Sequence, residues 1–252
     1  SIELISTVST VEELLAKELD KGQYSAFYLV NLGAVVEKFL QWKKYMPRVR
    51  PMYAVKSNPD INIIRALHYL GTGFDCASQA ELEEVKSIGA KAENIIYANP
   101  CKGKEHILYA KQHGFDTMTF DNAAELDKII ALHPAAKLVI RILPDDRYSL
   151  MPFGSKFGAS FDESCKLIQR CKELGANLIG VSFHVGSGCY SSQAWHDAIR
   201  LARRVFDAAQ EAGYKMTLLD IGGVRLPSFL PCSFLDDEKT FTLENRIFID
   251  DF

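Results

Sequence analysis

Met52-Tyr53-Ala54-Val55-Lys56-Ser57-Asn58-Pro59-Asp60-Ile61 reads as an apolar strand, a lysine, a polar turn and the first residue of a helix. The helix continues through Ile61, Ile64, Leu67 and Leu70, an apolar spacing of three. The same unit recurs along the chain. Strands are expected at 52–56, 73–77, 94–98, 117–120, 137–142, 179–185 and 217–221. Helices are expected at 61–70, 80–88, 103–113, 123–132, 162–174 and 193–212. The strands are short and almost wholly apolar, the pattern of strands buried on both faces. Strand–helix alternation at this period predicts parallel strands joined by right-handed crossovers. The fold class is α/β, and a (β/α)8-type barrel fits best, with a doubly wound open sheet as the alternative.

Seven strand units are recognisable, one short of a closed eight. The stretch after Gly222-Gly223 differs in character, with Pro227, Pro231 and the acidic cluster Asp236-Asp237-Glu238. Thr240-Phe241-Thr242-Leu243 and Arg246-Ile247-Phe248-Ile249 read as a hairpin about Glu244-Asn245. The expected barrel is therefore incomplete, with raw sheet edges. The expected organisation is an N-terminal helical segment over 1–24, a barrel over 25–223 and a divergent tail over 224–252. In the first segment Thr10 caps a helix from Val11 to about Asp20, with Glu13 completing a capping box. Residues 26–30 read as a strand, and 35–45 as a helix ending before Pro47.

Of the 252 residues, 48% are hydrophobic and 24% charged, and the net charge is -3. That balance points away from nucleic acid or an anionic membrane surface as the main partner. The start, Ser1-Ile2-Glu3-Leu4, lacks a basic leader, and no apolar run approaches membrane-spanning length. Six scattered cysteines without CxxC spacing read as free thiols in a reducing compartment, which points to the cytoplasm.

In such a barrel the chemistry sits at the C-terminal ends of the strands. Those ends carry Lys56, Asp75, Asn99-Pro100, Asp121, Arg141, His184 and Asp220. A lone strand-end lysine is ordinarily a solvated side chain. Pointed into a pocket instead, it is desolvated and its amine is freed to form Schiff bases with carbonyl compounds. Asp75 is costly if buried without a partner. His184 precedes Val185-Gly186-Ser187-Gly188, and Asp220-Ile221 precede Gly222-Gly223. Each glycine turn is a weak phosphate signal alone, and the two with Lys56 on one face are a better one.

Six strings together carry a resemblance: Tyr53-Ala54-Val55-Lys56-Ser57-Asn58, Gly73-Phe74-Asp75-Cys76-Ala77-Ser78, Tyr97-Ala98-Asn99-Pro100-Cys101-Lys102, Lys156-Phe157-Gly158-Ala159, His184-Val185-Gly186-Ser187-Gly188-Cys189 and Leu219-Asp220-Ile221-Gly222-Gly223. The chain resembles the eukaryotic ornithine decarboxylases over roughly residues 25–223. The resemblance implies pyridoxal 5'-phosphate held as a Schiff base on Lys56, and decarboxylation of L-ornithine to putrescine in polyamine biosynthesis. It implies that His184 stacks on the cofactor ring and that Ser187, Gly222 and Gly223 bind its phosphate. Asp75, Glu81 and Arg141 match family positions near the cofactor, and the resemblance implies Lys56 and His184 as the catalytic pair. The family is homodimeric, and Lys156 matches an interface lysine.

The chain departs from the family at Val224, where the family has a third glycine, and lacks a Glu-Pro-Gly-Arg string. Most of the family's C-terminal β-domain has no counterpart, and Cys232 and Asp236-Asp237 do not match its site residues. The alternative readings are an antizyme-binding homologue without catalysis, or an inactive shortened form. The matching antizyme surface runs from Ala110 to Lys137, with Lys111, His113, Lys128 and His133.

Overall fold

The computed structural model describes residues 10–22, 25–153, 156–223 and 246–249. The chain divides into two compact units, Ser1–Asn31 and Leu32–Phe252. In the first, α1 (Val11–Asp20) starts at Thr10 with the expected capping box. The Thr10 hydroxyl accepts the Glu13 N–H at 3.2 Å, and the Glu13 carboxylate accepts the Thr10 N–H at 3.0 Å. Residues 26–30 form no strand; they are irregular.

The second unit opens with α2 (Leu32–Tyr45). A closed barrel of eight parallel strands follows: β1 (Arg50–Ala54), β2 (Gly73–Cys76), β3 (Ile95–Tyr97), β4 (Thr117–Phe120), β5 (Lys137–Arg141), β7 (Asn177–His184), β9 (Leu218–Gly222) and β10 (Arg246–Ile249). The intervening helices are α3 (Ile61–Leu70), α4 (Gln79–Ser87), α5 (Lys104–Gln112), α6 (Ala123–Leu132), α7 (Phe161–Leu174) and α8 (Ser192–Glu211). All seven expected strand units are there. The expectation of an unclosed barrel is corrected, because β10 pairs in parallel with both β9 and β1. Arg246–Ile249 is thus a stave of the barrel, not an arm of a hairpin or part of a separate tail. The other expected arm, 240–243, lies outside the described residues, as does Val224.

The period-two alternation of strands sorts side chains between two faces. Met52, Ile96, Val139 and Leu218 form one small buried cluster, the apolar plug of the barrel interior. Their neighbours Tyr53, Ile95, Tyr97, Leu138, Ile140 and Leu219 belong to the large cluster that packs the helices on the outside. Asp75, Thr119, Ser182 and Asp220 share the inward parity and are buried. The interior is therefore apolar in one layer and polar in the next, and the polar layer leads into the strand ends.

Several of the loops after strands end on a side chain that caps the next helix. Asp60 accepts the Asn62 and Ile63 N–H groups, Ser78 accepts that of Glu81, and Asn122 that of Glu125. These caps fix the loops that carry the strand-end residues. The long loop after β5 contributes β6 (Ser149–Met151), which pairs antiparallel with β8 (Ser187–Cys189). Among the described residues no helix is long and apolar enough to cross a membrane.

Candidate active site

A cavity of about 280 Å³ opens at the C-terminal ends of the strands. Lys56, Asp75, Asn99, Arg141, Phe153 and His184 are among the residues lining it. Four residues nominated from separate strand ends, Lys56, Asp75, Arg141 and His184, therefore meet at one place.

Lys56 does not end the strand. β1 stops at Ala54, and Val55–Ser57 form a single 3-10 turn. That turn is held by the Ser57 hydroxyl, which donates to the Ala54 carbonyl at 2.7 Å, and by Tyr53, whose hydroxyl donates to the Asn58 carbonyl at 2.9 Å. Lys56 is exposed and lines the cavity wall. Asp75, in contrast, is 2% exposed. Next to it, burial and the Asp75 charge push the Cys76 thiol well above its ordinary range. Cys76 is a packed thiol, not a nucleophile.

His184 is fixed by its own turn. Its Nδ1 accepts the Gly186 N–H at 2.9 Å, so a neutral ring carries its proton on Nε2. The Phe153 ring packs against it at 4.9 Å between centroids. Glycine is required around this ring. A Cβ on Gly222 would lie 2.8 Å from His184 Cδ2 and 2.9 Å from the Phe183 carbonyl oxygen. Gly223 has φ +85°, and a Cβ there would meet Val185, Gly186 and His184 at 3.0–3.3 Å. Gly186 has φ +88°, and a Cβ there would lie 2.6 Å from Ser149. The Ser149 hydroxyl donates to the Val185 carbonyl and ties β6 to this turn.

Arg141 sits 4.8 Å from the Phe157 ring in a cation–π contact. The neighbouring Gly158 N–H donates to Asp121 at 2.9 Å, joining the end of β4 to the end of the long loop. Glu81 stands behind the wall. Its carboxylate accepts the Ala77 N–H at 2.7 Å and the Ser78 hydroxyl at 3.2 Å, bracing the turn after Asp75. Ser187 lies on β8, opposite Met151, and with Gly222 and Gly223 adjoins the His184 turn without lining the cavity.

A buried charge network escaped the sequence reading. Lys102 and Glu125 are each 2% exposed, and their side chains meet at 2.9 Å. Lys128 pairs with the other Glu125 oxygen and donates to the Lys102 carbonyl at 2.6 Å. Burial pulls the Lys102 ammonium below the ordinary lysine range, and the Glu125 carboxylate opposes that pull. Burial and Glu125 push the Tyr97 hydroxyl up to about 12. Of the four basic residues on the expected antizyme surface, Lys128 is thus turned toward Glu125. His133 is buried, with Nε2 3.1 Å from Asp116. Lys111 is exposed and donates to the Leu132 carbonyl at 3.1 Å, and half-buried His113 lies 2.8 Å from Lys86.

Residues 32–224 match the family model described as the pyridoxal binding domain of pyridoxal-dependent decarboxylases. The chain belongs to that family. A probable ornithine decarboxylase of Dictyostelium discoideum is 44% identical over 214 residues, covering 85% of this chain and 46% of the relative. The ornithine decarboxylase of Mus musculus is 46% identical over 218 residues, covering 85% and 47%. Antizyme inhibitor 2 of Xenopus laevis is 47% identical over 213 residues, covering 84% and 47%. The chain spans about half the length of these curated relatives.

Among solved structures, the arginine decarboxylase of Paramecium bursaria Chlorella virus bound to agmatine superposes with a TM-score of 0.88 at 34% identity, covering 94% of this chain and 67% of that one. The ornithine decarboxylase of Entamoeba histolytica gives 0.78 at 30%, covering 95% and 69%. A double mutant of SrLDC in complex with PLP gives 0.86 at 29%, covering 98% and 66%.

Pyridoxal phosphate is the cofactor of this decarboxylase family. The residues present suit it: a lysine amine, a histidine ring of fixed orientation, a buried carboxylate, and glycine turns whose backbone leaves no room for a Cβ. The cavity is at the lower end of small-molecule sites in size.

Proposed function

We propose that this chain carries the pyridoxal phosphate site of a decarboxylase that converts L-ornithine to putrescine, the first step of polyamine biosynthesis. The observation behind this reading is the meeting of Lys56, Asp75, Arg141 and His184 in one cavity. In this reading Lys56 is the lysine that carries the cofactor, from a 3-10 turn short enough to aim the amine at the cavity. His184 offers its ring face for stacking, oriented by the Gly186 N–H at Nδ1. Ser187, Gly222 and Gly223 hold the phosphate, where glycine permits close backbone approach. Asp75 and Arg141 set opposite charges on the cavity wall and orient the polar groups between them. The cofactor supplies the electron sink for the pair left behind when carbon dioxide departs.

Ornithine as substrate is supported by the names of the relatives at 44–46% identity. Homodimeric assembly and a cytoplasmic location belong to the same reading. Free thiols at the five described cysteines suit a reducing compartment. A second reading is a non-catalytic antizyme-binding protein, supported by antizyme inhibitor 2 relatives from Xenopus laevis and Mus musculus at 47% and 43% identity. Its partner surface would lie within 110–137, where Lys111 is exposed and His113 and Lys128 are half-buried.

The test is the visible absorbance of the purified chain on titration with pyridoxal phosphate, followed by carbon dioxide release from ornithine. A band that appears in the wild type and vanishes in Lys56→Ala, together with release, supports the enzyme. A band without release favours the antizyme-binding reading. The absence of a band in both proteins overturns the cofactor assignment for this chain.

A further inference from the structure

A fully buried lysine–glutamate pair is a weak stabiliser. The desolvation of both charges offsets most of their attraction, and apolar residues of similar volume would serve stability as well. Lys102 and Glu125 do something that apolar residues could not. The three protons of the Lys102 ammonium match three acceptors: the Asn99 carbonyl at 3.0 Å, the Thr119 carbonyl at 2.6 Å and Glu125 Oε1 at 2.9 Å. Asn99 follows β3 and Thr119 lies in β4, so one side chain bridges two neighbouring staves.

The bridge falls where the barrel wall is thinnest. β3 has three residues, and its ladder to β4 registers only Tyr97 against Met118. By comparison, the β4–β5 ladder runs unbroken from Thr117↔Lys137 to Phe120↔Ile140. Glu125 reinforces the bridge from α6 by also accepting the Lys102 N–H at 3.1 Å. Directly above this seam stands one wall of the cavity, Ala98-Asn99-Pro100. There the Asn99 amide donates to the Ala77 carbonyl at 3.1 Å and reaches the turn that follows Asp75.

We propose that Lys102 is a positioning residue: paired with Glu125, it closes the β3–β4 seam and thereby fixes the Asn99-Pro100 wall against the cofactor cavity. The part that concerns the cofactor rests on the proposed function. The part that concerns the seam does not.

The test compares wild type, Lys102→Met and Lys102→Met/Glu125→Leu as full chains. The single variant leaves a buried carboxylate short of a partner and loses thermal stability. The double variant removes that carboxylate and is expected to regain a Tm near the wild type. In the double variant, hydrogen exchange at the Ala98 and Cys101 amides should remain at least tenfold faster than in the wild type. The dissociation constant for pyridoxal phosphate, read from the Lys56-dependent absorbance, should remain about tenfold weaker. A double variant with wild-type Tm, wild-type exchange at these amides and wild-type affinity would show that the pair acts only through stability, and would overturn the proposal. If the wild type itself fails to bind pyridoxal phosphate, the cofactor reading falls, and exchange at Ala98 and Cys101 alone decides the seam.

Discussion

At the scale of single residues, the site depends as much on missing side chains as on present ones. His184 has one orientation because Gly186 donates to its Nδ1 and because Gly222 leaves the far side of the ring free of a Cβ. Gly222→Ala would place a methyl group 2.8 Å from His184 Cδ2 and 2.9 Å from the Phe183 carbonyl oxygen. The backbone oxygen yields little, so the ring is expected to tilt into the cavity. The expected outcome is a pyridoxal phosphate affinity lower by about tenfold, equivalent to about 1.4 kcal/mol. Titration of the visible band checks it, with far-UV circular dichroism confirming an intact barrel. The sequence marked these glycines only as a phosphate signal. It did not reveal that the atom nearest a Cβ on Gly222 belongs to the histidine itself.

At the scale of elements, the barrel depends on close approach between particular staves. Gly180 on β7 registers against Leu218 on β9, and a Cβ there would fall 2.2 Å from the Leu218 carbonyl oxygen. That oxygen belongs to a buried strand and has no flexible end to move aside. Gly180→Ala is expected to destabilise the fold by about 2–3 kcal/mol through overpacking. A lower midpoint in urea unfolding with an unchanged slope would bear this out. The β3–β4 seam shows the opposite solution, in which a short ladder is closed by a side chain instead of by backbone contact. Periodicity registers both strands equally, because it counts apolar positions and not the distance between staves.

At the scale of the whole molecule, helices α2 to α8 pack their apolar faces onto the outside of the barrel, and Cys171 of α7 is among the residues fully enclosed there. Burial pushes its thiol from the ordinary 9.0 up to about 12. A group whose folded value is raised contributes stability that is complete below the unfolded value and is lost as pH rises through the folded one. The window is therefore about pH 9 to 12, where the unfolded thiol ionises and the folded one does not. Tyr97, pushed up to about 12, adds to the same alkaline loss. In Cys171→Ala the fall in unfolding free energy between pH 9 and pH 10 should be shallower by about 1 kcal/mol. Denaturation at the two pH values in both proteins measures the difference. Equal slopes would show that the thiol is not shielded.

The order of strands and helices was legible in the sequence, because burial on both faces makes a strand continuously apolar and burial on one face gives a helix its period. Strand-end parity brought Lys56, Asp75, Arg141 and His184 to notice for the same reason: polar residues at the ends of apolar staves have one face on which to collect. Barrel closure was not legible. Arg246–Ile249 carries the same four-residue pattern whether it pairs with a preceding strand or with β1 and β9, and only partners distant in the chain choose between them. The exposure of Lys56 was hidden as well, since a strand that stops two residues early turns the side chain by a geometry that composition does not encode. The Lys102–Glu125 pair was the hardest to foresee. Lysine and glutamate read as surface residues until the backbone carbonyls of two neighbouring strands converge on the ammonium, and that convergence exists only in the folded barrel.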